Sequence, residues 1–280
     1  MERNPERILK AEDIADTIIL VGDPGRVKQV SSHFDTLELE KSNREFLTHT
    51  GIYKGKRLTV LATGIGTDNI DIVLNELDAL VNVDLEKRLV RKDQSSLRFI
   101  RLGTSGALHR KVQVGSTILS AIACGFDPLY HFYRDERGVT MPGITEAFMA
   151  HTGWSQNLAK PYFIESPGNL LRHFDNKGYI HAITISTPGF YGPQVRRIRL
   201  PPRDEMLLEK IGSFDYEGWH AGNFEMECSA LYALSALMGH EAVTLCVAVA
   251  NRISKKFLDD YQPAIDRLIG EVLEILVTNE

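Results

Sequence analysis

The chain has 280 residues, 43% of them hydrophobic and 25% charged, with a formal net charge of -5. That profile suits a soluble globular protein with ample core, and the acidic balance excludes general nucleic-acid binding while allowing a local anion site. No apolar run is long enough to span a membrane and the charged N-terminal stretch lacks a signal-peptide core, so a cytoplasmic protein is expected.

Residues 17–21 (TIILV) form an apolar, β-rich run that stops at Gly22-Asp23-Pro24-Gly25-Arg26: a buried strand, a turn, then a short helix toward Phe34. Runs at 46–53 and 57–62 flank Lys54-Gly55, the pattern of a hairpin. A second glycine turn, Thr63-Gly64-Ile65-Gly66-Thr67, follows directly. From Asn69 the apolar positions Ile70, Val73, Leu74, Leu77 and Leu80 describe a helical stripe, with Thr67 or Asp68 as its cap. Residues 84–96 are polar and read as a solvated excursion. A strand at 97–102 then ends in a third turn, Gly103-Thr104-Ser105-Gly106. Further strands are expected at 114–123, 179–186 and 241–249, and helices at 225–238 and 261–277. Residues 127–177 show no usable periodicity. Strands alternate with helices, but the hairpin and the late strand cluster predict a mixed sheet in one α/β domain spanning residues 1–280.

Ligands in open α/β sheets collect where strands end and backbone N–H groups point outward. Arg26 follows the first glycine turn and Arg101 precedes the third; with the Thr104 hydroxyl they make a candidate oxyanion or phosphate site. No Walker phosphate loop, complete dinucleotide fingerprint, metal-spaced histidine set or nucleophile elbow occurs. Of the three cysteines, Cys124, Cys228 and Cys246, two sit in apolar runs and read as buried thiols rather than a disulfide framework or zinc site.

Phe190-Tyr191-Gly192-Pro193-Gln194-Val195-Arg196 places an aromatic ring, a turn, a carboxamide and a guanidinium together. A carboxamide both accepts and donates, whereas a guanidinium only donates, so the pair suits a flat edge alternating carbonyl, N–H and carbonyl, as in uracil. A solvated arginine loop is the alternative. Glu225 and Glu227 open the expected helix at 225–238. Two residues apart, they are expected to project in different directions and not to share a task. For Glu227 two readings stay open: a first-turn carboxylate favoured by the helix dipole, or an acceptor for a vicinal diol such as ribose.

In this order, the segments Gly22 to Arg26, Asn43-Arg44-Glu45-Phe46, Thr63 to Gly66, Arg101 to Gly106, Phe190 to Arg196, Glu225-Met226-Glu227 and Asn251-Arg252 resemble the nucleoside phosphorylase family, most closely its uridine-cleaving members. The resemblance implies a three-layer α/β/α fold around a mixed sheet. It implies phosphorolysis of a pyrimidine nucleoside, with inorganic phosphate as co-substrate and no cofactor. Phosphate falls to Gly22, Arg26, Arg101, Thr104 and a neighbouring subunit's Arg44. Ribose falls to Met226, Glu227 and Thr104; the base falls to Ser105, Gly106, Phe190, Gln194, Arg196 and Arg252. Arg101, Glu227, Arg196 and Gln194 carry the chemistry. A homodimer is the minimal unit, with a hexamer as the larger alternative. In relatives that bind a monovalent cation the carboxylate corresponds to Glu45; no metal is assigned here.

Purine-cleaving relatives carry an aspartate near the late strand, where this chain reads Val249-Ala250-Asn251-Arg252, and that favours a pyrimidine. Two departures stand out. Pro193 precedes the glutamine where the family has glycine, predicting an altered loop path. The N-terminal stretch 5–13 lacks the histidine that relatives place on a neighbour's ribose, leaving His131 or a charged N-terminal residue as substitutes. The alternatives are a purine nucleoside phosphorylase, a hydrolytic nucleosidase and a non-catalytic nucleoside-binding protein.

Overall fold

A computed structural model describes residues 8–175 and 177–278. β1 (Thr17–Val21) leads into α1 (Pro24–Ser31) and a meander of β2 (Thr36–Asn43), β3 (Phe46–Tyr53) and β4 (Lys56–Ala62). Next come α2 (Thr67–Asn82), a small hairpin of β5 (Val83–Asp84) and β6 (Leu89–Val90), and two long strands, β7 (Arg98–Ala107) and β8 (Thr117–Gly125). α3 (Pro142–Thr152), β9 (Tyr162–Glu165), β10 (Ile180–Ser186), α4 (Leu207–Gly212), β11 (Asp215–Tyr216) and β12 (Trp219–Glu225) follow. The chain ends with α5 (Cys228–Met238), β13 (Glu241–Asn251), β14 (Lys256–Phe257) and α6 (Gln262–Thr278).

Alternation along β1 sorts the core into two layers, because successive strand residues face opposite sides. Ile19 and Val21 pack with Val27 and Val30 of α1 and with Ile265, Leu268 and Val272 of α6. Ile18 and Leu20 pack with Ile70, Val73 and Leu74 of α2 and with Leu231 and Leu234 of α5. Helices therefore cover both faces of a mixed sheet, as expected.

The main sheet runs β11-β12-β10-β8-β13-β7-β1-β4-β3-β2. β1 is parallel to β4 and β7, and β13 is parallel to β7, so four carboxyl ends gather at one edge. β12 also pairs antiparallel with β7, Asn223 opposite Ala107 and Phe224 opposite Gly106. This pairing closes β7, β13, β8, β10 and β12 into a ring.

The structure corrects several local expectations. β7 does not turn at Gly103 but continues to Ala107, because β13 supplies a ladder along its whole length. α2 is capped by Gly66 at φ 104° rather than by Thr67 or Asp68. The polar excursion holds the β5–β6 hairpin. Glu225 is the last residue of β12, paired with Ser186 of β10, and α5 begins only at Cys228. All three cysteines are buried, free thiols.

Candidate active site

Two glycine turns meet at the gathered strand ends. A Cβ on Gly22 would approach the Gly64 carbonyl to 3.4 Å. Arg26, in the first turn of α1, is buried; it donates to the Leu102 carbonyl at 3.3 Å, and its Nε has no hydrogen-bond partner. Arg101 reaches the same region from β7, is 4% exposed, and also has an unpartnered Nε. Burial and the Arg101 charge both push the Arg26 guanidinium below its ordinary value. Two buried cations with unpartnered donors have the chemistry to hold an oxyanion. Gly103 permits the arrangement, since a Cβ there would lie 2.5 Å from an Arg101 terminal nitrogen and 3.0 Å from Cys246 Sγ.

Arg101 is gripped from the other side by both glutamates. Glu225 contacts it at 3.1 Å, and Glu227 accepts a short hydrogen bond from its second terminal nitrogen. The expectation that these carboxylates diverge is therefore wrong. They do not sit on a helix: one ends a strand, the other caps α5, and the β12–β7 pairing brings both over Arg101. Burial works against the Arg101 charge, yet Glu227 and Glu225 hold its pKa above the ordinary value. Burial pushes the Glu225 carboxyl up to about 7, against the pull of Arg101 and with the help of Glu227. Glu227 also accepts the Gly66 N–H at 2.8 Å, tying α5 to the second glycine turn. Met226 is half-buried between the glutamates, and Thr104 is half-buried on β7.

A second cluster lies farther along β7. Gly106 sits beneath Arg252 and Arg196: a Cβ on it would meet Arg252 Cγ at 3.5 Å and an Arg196 terminal nitrogen at 4.0 Å. Gln194 is 2% exposed; it donates to Thr187 Oγ1 at 2.9 Å and accepts a short bond from Arg196. The Arg196 guanidinium lies 3.7 Å above the Phe190 ring, a cation–π contact, and donates to the Phe190 carbonyl at 2.8 Å. Burial and Arg252 lower the Arg196 pKa to about 10. Ser105 is buried with an unpartnered hydroxyl. Arg101 and Gly106 lie on one strand, and the Arg101 guanidinium reaches forward to Gly103, so both clusters share one stretch of β7.

Other expected residues lie apart from these clusters. Arg44 occupies the turn between β2 and β3 at φ 54° and is exposed, while its neighbour Glu45 approaches Gly64. His131 donates to the Lys160 carbonyl at 2.8 Å, so that ring nitrogen is engaged away from both clusters. Residues 5–7 of the N-terminal stretch lie outside the described residues. An apolar cavity of about 790 Å³ opens beside the loop of residues 190–196, lined by Phe126, Trp154, Tyr191, Pro193, Arg196 and Leu200 among others. It contains neither the glycine turns nor Arg101, and of the second cluster it reaches only Arg196.

Over residues 16–277 the sequence matches the family described as the Phosphorylase superfamily. The chain belongs to the phosphorylase superfamily. It is thereby an enzyme of the pentosyltransferase class. It is 30% identical over 272 residues to the uridine phosphorylase of Thermococcus kodakarensis, covering 95% of this chain and 84% of that one. It is 35% identical over 273 residues to a DeoD-type purine nucleoside phosphorylase of Bacillus cytotoxicus, covering 96% of each. Among solved structures, a Trypanosoma brucei nucleoside phosphorylase that shows uridine phosphorylase activity superposes with a TM-score of 0.84 at 29% identity, over 99% of this chain and 98% of that one. The Toxoplasma gondii purine nucleoside phosphorylase shares the fold, with a TM-score of 0.66 at 20% identity over 98% and 95% of the two chains.

In this phosphorylase, sequence reasoning missed what Glu225 and Asn251 do. Besides holding Arg101, Glu225 accepts the N–H groups of Glu227 and Cys228 at 3.0 and 2.9 Å, capping α5 from the preceding strand. An acidic residue three positions before a helix start is the available signal, hidden here by the assumption that the helix began earlier. Asn251 donates to the His109 and Val112 carbonyls and accepts from the Ile253 and Ser254 N–H groups. Pro193 lies in a short 3-10 turn, Gly192–Gln194, where its missing N–H is tolerated.

Proposed function

We propose that this phosphorylase cleaves pyrimidine nucleosides, converting uridine and phosphate to uracil and ribose 1-phosphate, with deoxyuridine or thymidine as further substrates. The observation that supports the reading is the joined Gln194–Arg196 pair beside Gly106, whose second carboxamide lone pair and N–H and remaining guanidinium donors suit a flat base edge. Asn251 supports it. Its amide is wholly engaged with backbone, so the late strand offers no side chain there to protonate a purine.

In this reading phosphate binds to the Gly22 amide, Arg26, Arg101, Thr104 and the Arg44 of a neighbouring subunit, in a homodimer or a hexamer built from such dimers. The ribose diol donates to Glu227 beside Met226, and the base meets Ser105, Gly106, Phe190 and Arg252. A phosphate oxygen forms the new bond to C1′ as the C1′–N1 bond breaks, its electron pair leaving on the base. Gln194 and Arg196 stabilise that charge on the carbonyl oxygens, and solvent supplies the proton. The protein contributes positioning and preorganised charge, with no side-chain nucleophile. Apart from the neighbour's Arg44, a single domain carries each site, through the continuous sheet.

A purine substrate is the second reading, favoured by the 35% identity to the Bacillus cytotoxicus enzyme. Chromatography of uridine, thymidine, inosine and adenosine, each with and without phosphate, separates the readings. Phosphate-dependent loss of uridine is expected. Preferential inosine or adenosine cleavage would establish the purine reading, and phosphate-independent cleavage a nucleosidase.

A further inference from the structure

Asp127 lies just beyond β8, 1% exposed, at the start of the stretch without periodicity. Its carboxylate accepts the Leu129 N–H at 2.9 Å, the Tyr162 hydroxyl at 2.9 Å from both oxygens, and the Ser229 hydroxyl at 2.8 Å. Among the described residues no cation forms an ion pair with it. A buried carboxylate without a cation is costly unless hydrogen bonds and dipoles replace water. Here hydroxyls, an amide and the N-terminal end of α5 fill that role. Burial and the Asp127 charge keep the Tyr162 phenol well above its ordinary pKa, so it stays a donor. Gly125 opposes Tyr162 across the β8–β9 pair, and a Cβ on it would collide with the ring.

From Asp127 the hydrogen bonds run inward. The Ser229 N–H donates to Ser186 Oγ at 2.8 Å, and the Ser186 hydroxyl donates to Glu225 at 2.5 Å. Glu225 in turn holds Arg101 and the Glu227 N–H. We propose that Asp127 is a positioning residue, clamping Ser229 on the first turn of α5 and, through Ser186 and Glu225, fixing where Glu227 and Arg101 meet. The proposal rests on nucleoside phosphorolysis as the reaction. Asp127 acts from behind the site and contacts no substrate.

The test compares wild type, Asp127→Asn, Ser229→Ala and the double variant, with kcat at saturating nucleoside and phosphate measured beside thermal unfolding. Asp127→Asn puts an amide donor where Ser229 and Tyr162 now donate, so kcat should fall about ten- to a hundredfold, as for other small misplacements of catalytic groups. KM for phosphate should rise by a smaller factor than kcat falls, because Arg101 shifts only through Glu225 while Glu227 is displaced with it. The double variant should be no slower than the poorer single variant, because both changes cut one link. A purely structural role would lower the unfolding temperature and leave kcat per folded molecule intact; that result, or multiplying losses in the double variant, overturns the proposal. If Asp127→Asn does not fold, Ser229→Ala decides alone, since it removes one hydroxyl and keeps the N–H; wild-type kcat in it overturns the clamp. Wild type in the same assay reports on the reaction separately. Turnover of no nucleoside would overturn the functional reading and, with it, the role given to Asp127.

Discussion

Arg196 is held over the Phe190 ring and against Gln194, which fixes the position of its charge. Partly buried beside Arg252, it would favour added negative charge, which in the proposed reaction develops on the departing base. Arg196→Ala should therefore cost about 2–4 kcal/mol in transition-state stabilisation, roughly two to three decades in kcat/KM for uridine, with phosphate KM nearly unchanged. Near-normal uridine turnover in steady-state assays would remove Arg196 from the base edge. Gly103 gives a second prediction at this scale. A methyl group there would press on the Arg101 guanidinium and Cys246 Sγ, which are buried and cannot retreat into solvent. Gly103→Ala should destabilise the fold by about 1–3 kcal/mol, the usual cost of overpacking, and raise phosphate KM by about tenfold. Unfolding and phosphate titration together check it; a normal phosphate KM would place the anion away from Arg101.

At the scale of elements, the start of α5 is where strand, helix and site join. Glu225 ends β12 yet satisfies N–H groups at the helix start, so one residue sets both the cap and the Arg101 contact. Its raised pKa carries a sign. A carboxyl with a higher pKa folded than unfolded favours the fold while protonated; that contribution is complete below its ordinary 4.5 and lost as pH rises through about 7. Glutamine cannot titrate. The unfolding free energy of wild type should therefore fall relative to Glu225→Gln as pH rises from about 5 to about 8. Parallel stability curves for the two proteins would show that Glu225 does not titrate in this window. The helix was legible in the sequence and its first residue was not. Periodicity reports which face is buried, but Glu225 and Met226 are consistent with both the end of a buried strand and the start of a buried helix.

For the whole molecule, the exposed Arg44 at the β2–β3 turn is the group that the proposed function gives to a second subunit's site. In the proposed shared site, mixing Arg44→Ala protein with protein disabled by Arg101→Ala should restore activity. A two-fold dimer then assembles one site with both defects and one with neither. Recovery should reach about half the wild-type activity per verified mixed dimer, on that symmetry argument. No recovery in such dimers, or a fully active monomer by light scattering, counts against sharing.

The sequence alone determined β1, the β3–β4 hairpin, α2, β7, β8, β10, α5, β13 and α6, because side-chain periodicity records burial locally, but not β2, α3, β9, α4 or β12. It also marked the glycine turns, because backbone near φ 73° and 104° at Gly64 and Gly66 favours glycine. The ordered motifs were enough to point to the family. Only the tertiary structure decided that Glu225 and Glu227 converge on Arg101, that Asn251 is occupied by backbone, and that Asp127 stands behind α5. Each of these depends on contacts between segments distant in sequence: β12 with β7, the end of β13 with the loop after β7, and Ser229 with the loop after β8. A local pattern carries no record of which distant partner will neutralise a buried charge, and that pairing is what makes these charges tolerable inside the protein.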